Sequence, residues 1–175
     1  ILHSGVTPTI IFGELDGSLS ERGRRIAQCF LEAGFKGRLV TNIQQELWKK
    51  FISICSSGLL ALCRASFGVV REVPETRQMM KELFSEIFRI SERIGIGIEA
   101  DFVDKTLSFM DTIPYESTAS LSRDIWEGKP SEIQYQNGAV VALGEKWGID
   151  TPVNRFIYHT LLPIEMAARR KFNLP

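Results

Sequence analysis

Two adjacent lysines, Lys49 and Lys50, a carboxylate, Glu132, and a few serines, Ser120 above all, are the residues of this chain whose types suit acid–base or binding chemistry. A positioned ammonium stabilises negative charge that builds on an oxygen and then hands that oxygen a proton. A carboxylate beside it keeps the ammonium charged. Spacing alone leaves plainer readings open. Either lysine serves equally as a solvated charge on a helix whose opposite face is apolar and aromatic. Glu132 falls in the first turn of an expected helix, where a carboxylate meets the positive end of the dipole. Ser120 is able to bond back to a carbonyl one turn earlier. Gly13, Gly17 and Gly23 do not form G-x-G-x-x-G, and no nucleophile elbow, zinc motif or Ser-His-Asp set is present. His3 and His159 are the only histidines, so no metal site is expected.

These groups must be carried by ordered elements. Pro8-Thr9-Ile10-Ile11-Phe12-Gly13 reads as a strand, and Ser18 with Glu21 has capping-box spacing for a helix that Gly34 stops. Arg38–Thr41 reads as a second short strand. From Asn42 onward the pattern is helical. Asn42 caps a helix with Gln45 at its third position, with Trp48, Phe51, Ile52 and Cys55 on one face, continuing toward Arg64. Pro74 opens a long helix that ends near Gly95. A shorter one carries Phe102, Val103, Leu107 and Met110, and another spans Ser117 to Trp126. Ser131 is the expected cap of a helix running to Gly148. Thr151-Pro152 opens the last helix as cap and first residue, and Pro163 is expected to kink it.

With 44% hydrophobic and 24% charged residues the chain has an ordinary globular composition. Its formal net charge is zero, which leaves no basic footprint for nucleic acid. Arg169-Arg170-Lys171 reads as cations at a helix C-terminus. No apolar run approaches the roughly 20 residues of a membrane span. Cys29, Cys55 and Cys63 each fall in an apolar stretch and read as buried free thiols, which points to a reducing, cytoplasmic location. The chain opens on Ile1 without a Met and directly on a buried-type strand, which reads as a point inside a longer protein.

Glu46-Leu47-Trp48-Lys49-Lys50-Phe51 resembles the "ELW-x-KF" segment of the ketopantoate reductase family. Further motifs follow in the family's order. Arg64-Ala65-Ser66-Phe67-Gly68 is similar to its R-A-P/S-x-G turn. Ser120-Leu121-Ser122-Arg123-Asp124 and Gly128-Lys129-Pro130-Ser131-Glu132-Ile133 are similar to its "S-M-x-x-D … G-R-P-T-E-I" block. Asn137-Gly138 and Gly148 to Asn154 are similar to "N-G" and "G-V-x-T-P-x-N". Gly13-Glu14 with Asp16-Gly17 fits a turn near the end of its nucleotide-binding domain.

The resemblance implies a mainly α fold: a helical domain like the C-terminal part of 6-phosphogluconate dehydrogenase over residues 43–175. Residues 1–42 would be the last strand-helix-strand of a Rossmann domain. It implies NADPH-dependent reduction of a small 2-keto acid, ketopantoate to pantoate in coenzyme A biosynthesis. Lys50 then takes the catalytic lysine's place, since it directly precedes Phe51, and Glu132 the place of the glutamate. Ser120 takes the place of the substrate-binding serine, and Ser117 that of the substrate-side Asn. Departures are Ile54 and Ser57 or Gly58, which stand where the family has Asn, and Gln134, which stands for its Asp. NADPH would be bound by the full-length protein and not by these residues alone, so this chain is expected to be inactive by itself. Two other readings remain: a helical dimerisation or binding module with a decayed site, its partner a second copy, and a related dehydrogenase acting on another keto or hydroxy acid.

Overall fold

The computed structural model describes residues 9–173. Pro8, where the sequence reading starts the first strand, and His3 lie outside them. The chain divides into two compact units, one up to Lys49 and one from Lys50.

In the first unit β1 (Thr9–Phe12) and β2 (Lys36–Leu39) pair in parallel, Thr9 opposite Lys36 and Phe12 opposite Leu39, with α1 (Glu21–Glu32) connecting them. Two details differ from the sequence reading. The helix cap is Ser20, not Ser18: Ser20 Oγ accepts from Gly23 N at 3.0 Å, while Ser18 N donates to Asp16 Oδ1 at 2.9 Å. Glu14 fixes that choice by accepting from Ser20 Oγ and from Arg22 Nη2, which holds its carboxyl below the usual range. β2 also lies two residues earlier than expected. Pairing ends with Val40 N donating to Phe12 O, and the next residue of β1's chain, Gly13, already abuts the Val40 carbonyl.

α2 (Ile43–Ile54) starts where the sequence places it, with Asn42 Oδ1 accepting from Gln45 N at 3.2 Å. It does not run on to Arg64. A turn at Cys55 separates it from α3 (Ser56–Cys63), and Arg64 ends α3 in a left-handed conformation at φ 53°. The hydroxyls of Ser56 and Ser57 donate to the carbonyls of Ser53 and Ile54 across that break, the local competition that bends helices.

In the second unit α3 is the axis. Ser56 to Ala61 are all buried, and a helix apolar on every side belongs inside a bundle. It packs against α5 (Pro74–Arg93), α7 (Ser120–Trp126) and α9 (Pro152–Lys171), with α4 (Phe67–Glu72), α6 (Phe102–Thr112) and α8 (Asn137–Trp147) completing the bundle. Ile52, Leu59, Leu60, Phe84, Ile87, Ile133 and Ile157 have no accessible surface, each contributing about 1.5–3 kcal/mol of burial. The sequence reading treated α4 as a turn. Its cap is Ser66, and Gly68 lies flat under the Tyr115 ring, where a Cβ would collide.

Three further expectations need correction. Cys55 is buried, and burial pushes its thiol well up, but Cys29 and Cys63 are exposed; Cys63 is the last residue of α3, where the chain leaves the core. α7 begins at Ser120, three residues after Ser117. Ser131 does not open a helix. Residues 132–136 form successive turns, because Gln136 at φ −102°, ψ −99° cannot be helical. Glu132 therefore lies in that turn segment and not in a helix's first turn.

α9 begins at Pro152 as expected and passes through Pro163 as one helix. Its N-terminus is not capped by Thr151. Glu86, 1% exposed, reaches over from α5 and accepts from Val153 N at 2.8 Å, Asn154 N at 3.0 Å and Asn154 Nδ2 at 2.6 Å. Asn154 then accepts from Asn137 Nδ2, which also donates to Cys55 O. Among the described residues no helix is long and apolar enough to cross a membrane.

Candidate functional site

The serines of the α2–α3 junction and the turn before α8 face one another across a pocket of about 190 Å³ within the second unit. Its polar lining is Ser53, Ser56, Ser57, Ser120 and Gln136, and its apolar lining includes Ile54, Phe67, Met110 and Leu121. Ser57 closes the two walls together, its hydroxyl lying 2.7 Å from Gln136 Oε1.

Ser120 lines this pocket as the first residue of α7. Its hydroxyl makes no bond back along the chain among the described residues; that bond is made instead by Ser122, whose hydroxyl donates to Ala119 O at 2.9 Å. Ser117 is half-buried just outside. Its carbonyl accepts from Phe67 N and its amide donates to Pro114 O, so it ties the start of α4 to the segment leading into α7. Arg71 Nη1 fastens the other side by donating to the carbonyls of Met110 and Ile113 at 3.0 and 2.6 Å.

Lys50 is not among the lining residues. It is exposed, and residues three and four further on, Ser53 and Ile54, share its helix face and line the pocket. Its ammonium makes no ion pair among the described residues, whereas Lys49 lies 3.9 Å from Glu46. Glu132 is exposed too. Its carbonyl accepts from Gln136 N at 3.0 Å, so it sits one turn from a lining residue on the opposite wall. Ser120 thus lines the pocket, whereas Lys50 and Glu132 do not; each lies one turn from a residue that does. Lys50 and Glu132 form no ion pair with each other among the described residues.

The turn bearing Glu132 and Gln136 is anchored from below. Glu165, 2% exposed in α9, accepts from Ser131 N at 2.9 Å and from Ser131 Oγ at 2.6 Å, and Arg169 Nε donates to it at 2.7 Å. Sequence reasoning missed Gln136, Ser53, Ser56 and Glu165. The available signal was a run of serines, Ser53-x-x-Ser56-Ser57, inside an otherwise apolar helical stretch.

Comparison with known proteins shows the family and the fold. A family model described as ketopantoate reductase PanE/ApbA C terminal matches residues 42–165. The 2-dehydropantoate 2-reductase of Aquifex aeolicus is 31% identical over 154 residues, 85% of this chain and 49% of that protein. The solved PanE/ApbA family ketopantoate reductase of Ralstonia eutropha JMP134 superposes with a TM-score of 0.82 at 24% identity, covering 92% of this chain and 52% of that one. D-mandelate dehydrogenase, solved with NADH and anilino(oxo)acetate, gives a TM-score of 0.81 at 18% identity, covering 92% and 68%. At these identities the two solved structures show the fold alone. The chain spans about half the length of the curated relatives it matches.

Proposed function

The chain belongs to the ketopantoate reductase C-terminal family, and from that premise we propose that it is the substrate-side part of an NADPH-dependent reductase of a small 2-keto acid, with ketopantoate the first candidate. One observation carries the reading. Ser120 and the residues one turn beyond Lys50 and Glu132 line a single pocket. Its volume, about 190 Å³, falls below the roughly 300–1,000 Å³ of drug-sized sites and suits a small acid.

The residues described here do not fit the dinucleotide's pyrophosphate. The strand-to-helix turn after β1 carries the carboxylates of Glu14 and Asp16 in place of a glycine-rich cradle. The dinucleotide is therefore assigned to residues outside the described ones, and residues 1–42 to the closing strand-helix-strand of the domain that holds it. A reduced nicotinamide held there would supply the hydride for the keto carbon. The work of this chain is on the oxygen. Lys50 stabilises the negative charge that forms there and gives it a proton, completing a two-electron reduction to the 2-hydroxy acid. Glu132, one turn from Gln136, directs that ammonium in the substrate complex. Ser120 donates to the substrate.

In the full-length polypeptide, Lys50→Ala should lower kcat for ketopantoate by about 10²–10⁴-fold, the usual share of a general acid, with a smaller change in KM. NADPH oxidation at 340 nm reads this directly, and turnover unaltered by the substitution refutes the role of Lys50. Ile54 on the apolar wall favours a second reading, a related dehydrogenase of another keto acid. Comparing turnover of ketopantoate with that of smaller keto acids separates the two.

A further inference from the structure

Each serine hydroxyl has one proton, and on the α2–α3 wall those protons are already committed. Ser53 donates to Lys50 O at 2.9 Å and Ser56 to Ser53 O at 2.7 Å, while Ser57 shares its proton between Ile54 O and Gln136 Oε1, each at 2.7 Å. Toward the pocket this row of serines presents lone pairs. A carboxylate is acceptor-only, so the serine row repels it.

Donors come from the other wall. The Ser120 hydroxyl makes no hydrogen bond among the described residues. Gln136 turns Oε1 toward Ser57, which leaves the two hydrogens of its Nε2 without an acceptor among the described residues. The turn that carries Gln136 is held by the buried Glu165–Ser131 contacts, so the amide is presented on a fixed support.

We propose that Gln136 is a substrate-binding residue, donating from Nε2 with the Ser120 hydroxyl to the carboxylate of the 2-keto acid. This rests on the reductase reading and gives it a direction. The carboxylate lies at the α7–α8 wall and the carbon chain lies against Ile54, Phe67 and Met110. A hydroxyl on that chain donates to the serine oxygens. The pocket selects small free 2-keto acids over their esters, which lack the anionic oxygen that two donors reward.

The test is equilibrium calorimetry of ketopantoate and of pantoate with the full-length polypeptide, wild type, Gln136→Leu and Gln136→Glu, beside turnover of the same proteins. The glutamate is near-isosteric and guards against loss of fold. Kd should rise about 10- to 100-fold for the leucine variant, as expected for a lost bond to a charged group, and further for the glutamate, whose charge opposes the ligand's. An unchanged Kd in the leucine variant overturns the proposal. So does equal or tighter binding by the glutamate variant, which would mean that this wall meets a donor. Failure of the wild type to bind either acid overturns it as well. Binding in the expected order without NADPH-linked turnover leaves Gln136 in place and overturns the reductase reading instead.

Discussion

Exchanging Thr151 for Val and Glu86 for Ala separates the cap that the sequence advertises at α9 from the one the fold uses. Thr151-Pro152 has the residue types of a helix start, and a threonine cap replaced by Ala ordinarily costs about 1 kcal/mol. Yet Thr151 Oγ1 is buried without a hydrogen-bond partner, so its hydroxyl contributes nothing to the amides. Thr151→Val keeps the shape and removes an orphaned polar atom. Stability should be unchanged or rise by up to about 1 kcal/mol. Glu86 is the opposite case. Its carboxylate accepts from two first-turn amides and from Asn154 Nδ2 at 2.6–3.0 Å. A bond to a charged group is worth about 1.5–3 kcal/mol and each orphaned buried amide costs about 1–3 kcal/mol. Since these contributions overlap, Glu86→Ala should cost about 3–5 kcal/mol, and Glu86→Gln about half as much because one end of the amide then faces an N–H. Urea unfolding gives the comparison, with an unaltered m-value confirming that stability alone has changed. A loss of 1 kcal/mol or more in Thr151→Val together with an indifferent Glu86→Gln would refute the reasoning.

Two other outcomes follow from contacts within the second unit. Gly58→Ala should destabilise by about 2–3 kcal/mol, read as a lowered thermal midpoint, because the new Cβ would strike Asn137 Oδ1 and come within 2.8 Å of Ile157 Cγ2. Arg77 holds the Asp111 carboxyl below its ordinary value of 3.8. The stability this adds is present above that ordinary value and is lost as pH falls through the lowered one. Both side chains are more than a third exposed, so Asp111→Asn should cost only about 0.5 kcal/mol near neutral pH. That difference should vanish in acid unfolding curves below the lowered value.

What the sequence disclosed was whatever a few neighbouring residues decide. Asn42 with Gln45, Pro74 and Pro152 lie where helices begin, since a cap or a fixed φ acts over one turn. Lys50 and Ser120 were picked out by ordered motifs; Ser120 lines the pocket, and Lys50 lies one turn before the lining residues Ser53 and Ile54. The turn at 132–136 was read as helix because Ser131-x-Ile133 followed by Val140-Val141 has helical spacing. The break lies in the non-helical backbone of Gln136, and the turn before it is anchored by Glu165, 34 residues away, which accepts from the amide and hydroxyl of Ser131. Glu86 at α9 and Gln136 beside Ser57 escaped for the same reason: their partners lie 67 to 79 residues distant in the chain.

The long-range polar contacts also say where this bundle resists change. Glu165 and Glu86 are almost fully buried, and neither is needed to fill space that Leu or Met would fill as well. A buried carboxylate is costly unless every oxygen is answered, and both are answered by main-chain amides of segments that bear on the pocket. Glu165 fixes the turn of Glu132 and Gln136. Glu86 fixes the start of α9 and, through Asn154 and Asn137, the carbonyl of Cys55 at the break between Ile54 and Ser57. The two pocket walls thus hang from separate buried acids on separate helices, and they meet at the Ser57–Gln136 contact. Apolar burial holds the helices together, but it is indifferent to a shift of a few tenths of an ångström along them. A hydrogen bond to a buried charge is not. The acids thus hold the serine row and the Gln136 amide in register at that contact.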